Sequence, residues 1–154
     1  MQLYLIRHAD AVEHPDDAAR QLSPRGRDQA KALGQFLGRG GAFTPAEIWH
    51  SPLRRARETA ELLAAAAKLA VPLREKAGLR PEDNPAALVP MIQRTTASVA
   101  LVGHEPHLSA LASLLVAGAT EPPVFLMKKA TVLALDGTAD YWAVRWQVSP
   151  ELLR

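Results

Sequence analysis

The spacing of hydrophobic and polar residues changes several times along the chain, and each change predicts an element. Residues 2–7, QLYLIR, form a short run of β-compatible side chains that stops at a cation, as a buried strand does when its C-terminal end meets a different environment. After a polar stretch with His14, Pro15, Asp16 and Asp17, the apolar residues Ala30, Leu33 and Leu37 recur at helical spacing behind Ser23 and Pro24. That dipeptide predicts an N-cap and first helical residue, and a helix from Ser23 to Leu37. AEIWH (46–50) reads as a second strand, Ser51-Pro52 repeats the start signal, and an Ala/Leu-rich helix is predicted to about Leu69. Val71 to Glu75 reads as a brief strand, residues 78–85 as a loop and residues 85–94 as a helix. SVALVG (98–103) is the clearest strand, closed by Gly103-His104-Glu105-Pro106 and followed by a helix to about Ala117. Beyond Pro122-Pro123, the runs TVLALDG (131–137) and YWAVRWQV (141–148) are separated by a turn-like stretch and predict a hairpin.

Strands alternating with helices, then antiparallel strands, predict a three-layer α/β/α sandwich with a mostly parallel central sheet and an antiparallel C-terminal portion. No repeat or linker divides the 154 residues, and a single domain spanning 1–154 is expected. A domain of this length buries roughly 68–70% of its unfolded surface, enough for a packed core without crosslinks. The chain has no cysteine, which excludes disulfide scaffolds, thiol nucleophiles and Cys-based metal sites.

With 18 Lys+Arg against 16 Asp+Glu the net charge is +2, too little to argue for nucleic acid. The cluster Arg54-Arg55-Arg57 is followed at once by Glu58 and Glu61, without an aromatic stacking platform. The apolar runs 62–67 and 108–119 fall short of the ~20 residues of a membrane span, and the N-terminal residues lack a basic leader. A soluble, cytoplasmic protein is expected, with neither nucleic acid nor membrane as partner.

In open α/β sheets ligands bind beyond the carboxyl ends of the strands. Three such places are polar here: Arg7-His8, Ser51-Pro52-Leu53-Arg54-Arg55 and Gly103-His104. Two imidazoles and at least two guanidiniums would therefore converge at one end of the sheet, beside a helix start whose free N–H groups suit an anion. Phosphate is the natural guest. Arg offers paired planar donors, a neutral His can serve as nucleophile in phosphoryl transfer, and a second His can donate to the phosphate in flight. Arg54 and Arg57 read as solvated, Thr59 as helix packing, and His14, His50 and His107 as structural or exposed. Asp10 and Arg20 lie in loops near His8 and could orient the site or the substrate. His104 and His107 do not make a metal site, because no Cys or carboxylate cluster accompanies them; neither metal nor other cofactor is expected.

LIRHA (5–9), SPLRRARETAE (51–61) and VGHEP (102–106), in this order and at these separations, resemble the histidine phosphatase superfamily, the phosphoglycerate-mutase-like branch 1. QLSPRG (21–26) and the C-terminal WQVSP (146–150) add to the resemblance, and the compact length looks most like the SixA-type phosphohistidine phosphatases. The resemblance implies that His8 becomes phosphorylated and that Arg7 and Arg55 bind phosphate oxygens. It implies that His104 contacts the transferred group, with Ser51 and Arg20 among the substrate-binding residues. The larger relatives carry an acid residue in an insertion for which GLRPEDNP (78–85) is the nearest counterpart, so Glu82, Asp83 or Asp10 is the proton donor, or none is needed. A phosphohistidine leaves as neutral imidazole and asks less of an acid than an alkoxide does. The implied activity is therefore hydrolysis of phosphohistidine on a protein. A small sugar or nucleotide phosphate ester is the alternative substrate, and a non-catalytic phosphate-binding module is the reading from another class.

Overall fold

A computed structural model describes residues 1–138 and 140–153. Its strands are β1 (Gln2–Arg7), β2 (Glu47–His50), β3 (Leu73–Glu75), β4 (Val99–Gly103), β5 (Val132–Gly137) and β6 (Trp142–Val148). Its helices are α1 (Pro24–Gly40), α2 (Arg54–Ala66), α3 (Val89–Arg94) and α4 (His107–Ala117), with single turns at Asp17–Ala19, Pro85–Leu88 and Pro150–Leu152. The six strands form one sheet in the order β3-β2-β4-β1-β5-β6. The pairs β1–β4, β4–β2 and β2–β3 are parallel, whereas β5 runs antiparallel to β1 and β6 antiparallel to β5.

Alternation along the central strands sorts their side chains between two helical layers. Leu3, Leu5, Val99, Leu101, Leu133 and Leu135 pack with Ile92 of α3 and Leu108 and Leu111 of α4. Tyr4, Ile6, Ala100, Val102, Val132 and Ala134 face Leu33 and Leu37 of α1 and Ala56, Ala60 and Leu63 of α2. The three-layer sandwich with its antiparallel C-terminal portion is thus the one expected. Strands buried on both faces must read as continuous apolar runs, which is why QLYLIR and VALVG stand out in the sequence. α1 and α2 meet backbone to backbone at Gly34, where a Cβ would lie 2.5 Å from the Leu63 carbonyl oxygen.

Several boundaries differ from expectation. Ser23 does cap α1, its hydroxyl accepting the Gly26 N–H at 3.0 Å, but the helix runs on to Gly40 and stops at Gly41, whose φ is 69°. Ser51-Pro52 does not start α2. The helix begins at Arg54 behind Leu53, whose apolar side chain cannot cap, and the Ser51 hydroxyl accepts the Leu53 N–H inside the turn that precedes it. α2 ends at Ala66 rather than near Leu69, and Lys68 turns the chain with φ 57°. The segment 85–94 is a short turn followed by the brief α3 rather than one helix. Among the described residues no helix is long and apolar enough to cross a membrane.

The register determines where the chemistry emerges. Arg7 pairs with Gly103 and His50 with Val102, so the chain leaves β1, β2 and β4 at one edge carrying His8, Ser51 and His104.

Candidate active site

His8 is fixed by its own backbone. Its N–H donates to Gly103 O at 2.9 Å, and the Ala130 N–H reaches back to the carbonyls of Arg7 and His8 at 3.1 and 3.2 Å. The ring lies 2.7 Å through Nδ1 from the carbonyl of Ala9. A carbonyl can only accept, so Nδ1 carries the proton and the neutral ring keeps a lone pair on Nε2. Burial above all, together with Arg55, Arg7 and Lys129, pushes the His8 pKa down to about 4 against the Ala9 bond. At neutral pH the ring is an uncharged base and potential nucleophile.

His104 faces it with ring centroids 5.0 Å apart. Its Nε2 lies 2.6 Å from Ser51 Oγ, and its buried Nδ1 has no partner among the described residues. Burial first, then the cationic forms of His8 and the arginines, hold its pKa down at about 2. Arg7 donates through Nη1 to Met127 O at 2.9 Å, and Arg55, from the first turn of α2, donates to Asp17 O at 2.9 Å and lies 3.3 Å from Asp17 Oδ2. Arg7 Nε and Arg55 Nε are buried without a partner among the described residues. Buried polar atoms are rarely left unpaired. Three nitrogens in this state around one imidazole describe a pocket suited to an oxyanion.

Several further side chains hold this pocket, and sequence reasoning did not find all of them. Thr59 is a polar anchor rather than packing alone: its buried Oγ1 donates to Arg55 O at 2.7 Å and accepts the Ala9 N–H at 3.0 Å. The helical spacing of Thr59 from Arg55 was its one visible signal. Asp17 partners Arg55, and although burial opposes the charge, Arg55 and Arg20 hold its carboxyl below the usual range. Arg20 itself is engaged by Val12 O at 2.9 Å and by Asp17, so its link to the site runs through Asp17. Asp10 accepts from Lys129 Nζ at 2.7 Å and from Ser23 Oγ at 2.6 Å, and these bonds hold it ionised. Lys129 carried no sequence signal, since it lies far along the chain from Asp10.

Gly26 is demanded by the same loop, because a Cβ there would sit 1.9 Å from Asp10 O. Arg54 pairs with Glu58 and Gln21 on the surface, as expected of a solvated helix start. His14 is exposed, His50 donates from Nδ1 to Ser51 O, and His107 is buried with a lowered pKa. Glu82 is exposed, and Asp83 accepts the Arg80 N–H at 2.9 Å in its own loop. Among the described residues no three or more His, Cys, Asp or Glu side chains cluster so as to hold a metal ion. Beside the pocket runs an open cleft of about 860 Å³, lined in part by Arg7, Asp10, Arg25, Lys128 and Lys129.

Known proteins share this arrangement of strands and helices. An uncharacterized protein of Picosynechococcus sp. is 35% identical over 146 residues, covering 90% of this chain and 87% of that protein. The structure of the protein histidine phosphatase SixA complexed with tungstate superposes with a TM-score of 0.90 at 25% identity, over 100% of both chains. The alpha-ribazole phosphatase from Shigella flexneri shares the fold, with a TM-score of 0.75 at 19% identity over 97% of each chain. Residues 3–83 match the model of the histidine phosphatase superfamily (branch 1), and these residues include Arg7, His8, Ser51 and Arg55. The chain belongs to that superfamily and is a phosphatase.

Proposed function

We propose that this phosphatase hydrolyses phosphohistidine on a protein through a covalent phospho-His8 intermediate, acting as one domain without a metal. The observation that carries the reading is the His8 tautomer: Nδ1–H is committed to Ala9 O, so the nucleophilic lone pair stands on Nε2, beside arginine nitrogens that lack partners.

In the first step His8 Nε2 attacks phosphorus and the P–N bond to the substrate imidazole breaks. That imidazole, protonated at its other nitrogen, leaves as a neutral ring. Water then attacks phospho-His8, the new P–N bond breaks, and inorganic phosphate departs. Arg7 and Arg55 hold the phosphoryl oxygens throughout. Asp17 positions Arg55, and Arg20 acts on substrate through Asp17.

Two observations favour phosphohistidine over an ester. Asp17, which is bonded to Arg55, and Asp10, in the adjoining cleft, are both held ionised, and an ionised carboxylate cannot deliver a proton to an alkoxide. The cleft is also open enough to admit a side chain on a protein surface. A small phosphate ester is the second reading, favoured by the alpha-ribazole phosphatase that shares this fold.

Turnover of the wild type, His8→Ala, Arg55→Ala and Arg54→Ala on a phosphohistidine peptide and a panel of small esters, with EDTA present, tests the proposal. The peptide should be preferred, His8→Ala should be inert, and Arg55→Ala should lose roughly 100-fold or more in kcat while Arg54→Ala stays near wild type. Preference for one ester moves the substrate to a small molecule, and turnover by His8→Ala ends the covalent scheme.

A further inference from the structure

Ser51 was expected among the substrate-binding residues, yet its hydroxyl is already spent inside the protein. The side chain is completely buried. Its Oγ accepts the Leu53 N–H at 3.1 Å and lies 2.6 Å from His104 Nε2. We propose that Ser51 is a positioning residue that sets the tautomer of His104, keeping the proton on Nδ1 so that the neutral ring donates to the phosphoryl group during transfer. The inference rests on the phosphatase reading of this pocket and names how its second histidine is prepared.

A serine hydroxyl has one proton to give and two lone pairs. One lone pair is taken by Leu53, and among the described residues the hydroxyl makes no hydrogen bond to any acceptor except His104 Nε2. If His104 instead donated from Nε2, the serine proton would be stranded in a fully buried place, and His104 Nδ1 would present a lone pair to an anion. With Ser51 donating, every hydrogen at the contact is used, and the proton of His104 sits on Nδ1, the atom that has no partner among the described residues. His8 holds its proton on Nδ1 too, through Ala9. One tautomer therefore yields two opposite functions: His8 offers the Nε2 lone pair and His104 offers the Nδ1–H. The difference lies in which nitrogen each neighbour occupies, a carbonyl taking Nδ1 of His8 and a hydroxyl taking Nε2 of His104.

The test combines imidazole 15N NMR at neutral pH with kinetics on wild type, Ser51→Ala and Ser51→Thr. Wild-type His104 should show a protonated Nδ1 and an unprotonated Nε2, and Ser51→Ala should move the proton toward Nε2. The same variant should lose about 100-fold in kcat with a much smaller change in KM, the loss expected on removing one donor to a developing oxyanion. Ser51→Thr, which keeps the hydroxyl, should restore both the tautomer and a large part of kcat. A wild-type His104 protonated on Nε2 overturns the proposal, as does a Ser51→Ala variant within about threefold of wild-type kcat. The NMR measurement needs no substrate, so it reads the tautomer even if the assigned substrate class fails. It also stands on the wild type alone if Ser51→Ala does not fold.

Discussion

Thr59→Val is the sharpest probe of how α2 supports the nucleophile. Valine matches threonine in shape, so the substitution opens no cavity, and what is lost is one hydroxyl with two bonds. The Arg55 carbonyl keeps its place in the helical ladder. The Ala9 N–H does not recover, because Ala9 is fully buried and water cannot replace the missing acceptor. An orphaned buried amide costs about 1–3 kcal/mol, so a loss near 2 kcal/mol is expected, or a fall in Tm of roughly 4–8 °C for a chain of this length.

Activity should suffer as well, since the carbonyl of the same residue, Ala9, holds His8 Nδ1. A slackened Ala9 loosens the aim of the nucleophile, and roughly a tenfold fall in kcat is expected. Urea unfolding followed by circular dichroism, beside kcat, on wild type, Thr59→Val and Thr59→Ser measures both effects. Thr59→Ser, which keeps the hydroxyl, should retain kcat. Thr59→Val within about 0.5 kcal/mol of wild type and with unchanged kcat would show that Thr59 only fills space.

Gly26→Ala has opposite signs in two accounts, which makes a thermal melt decisive. Helix propensity alone favours alanine by about 1 kcal/mol, whereas the Cβ would strike the Asp10 carbonyl and overpacking costs about 1–3 kcal/mol; a lower Tm is expected, and a higher one would refute the contact. Stability should also fall on acidification. Between pH 6.5 and about 4 the unfolded His8 binds a proton that the folded one refuses, so stability present above pH 6.5 is lost through that window, by about 3 kcal/mol from His8 at 1.36 kcal/mol per pH unit. Urea midpoints from pH 7 to 4 should slope less steeply in His8→Asn, and equal slopes would remove His8 as the cause.

The parts of the fold legible in the sequence are those that burial on two sides writes into every residue of a run. QLYLIR and VALVG read as buried strands, and the residues that end them, Arg7-His8 and His104, follow because strand ends face the ligand. The two Ser-Pro pairs show the limit. Ser23 and Ser51 look alike locally, but Ser23 meets the start of its own helix whereas Ser51 meets an imidazole from another strand. Asp17 and Lys129 were illegible for the same reason. A surface loop and a segment before β5 acquire their meaning only when folding places them against Arg55 and Asp10.

The position of β1 between β4 and β5 also governs when this catalyst comes into being. Leu3 pairs with Val99 on one side and Leu135 on the other, so the contact order of the innermost strand is high and closing the sheet is expected to be slow. During synthesis β1 is made before β4 and β5, so Arg7 and His8 wait with both strand edges bare, a template for stray pairing. The partners that hold His8, Gly103 and Ala130, follow it only much later in the sequence. Competence for catalysis therefore waits for β4 and the segment before β5, and a copy terminated ahead of them would carry the nucleophile without the means to aim it.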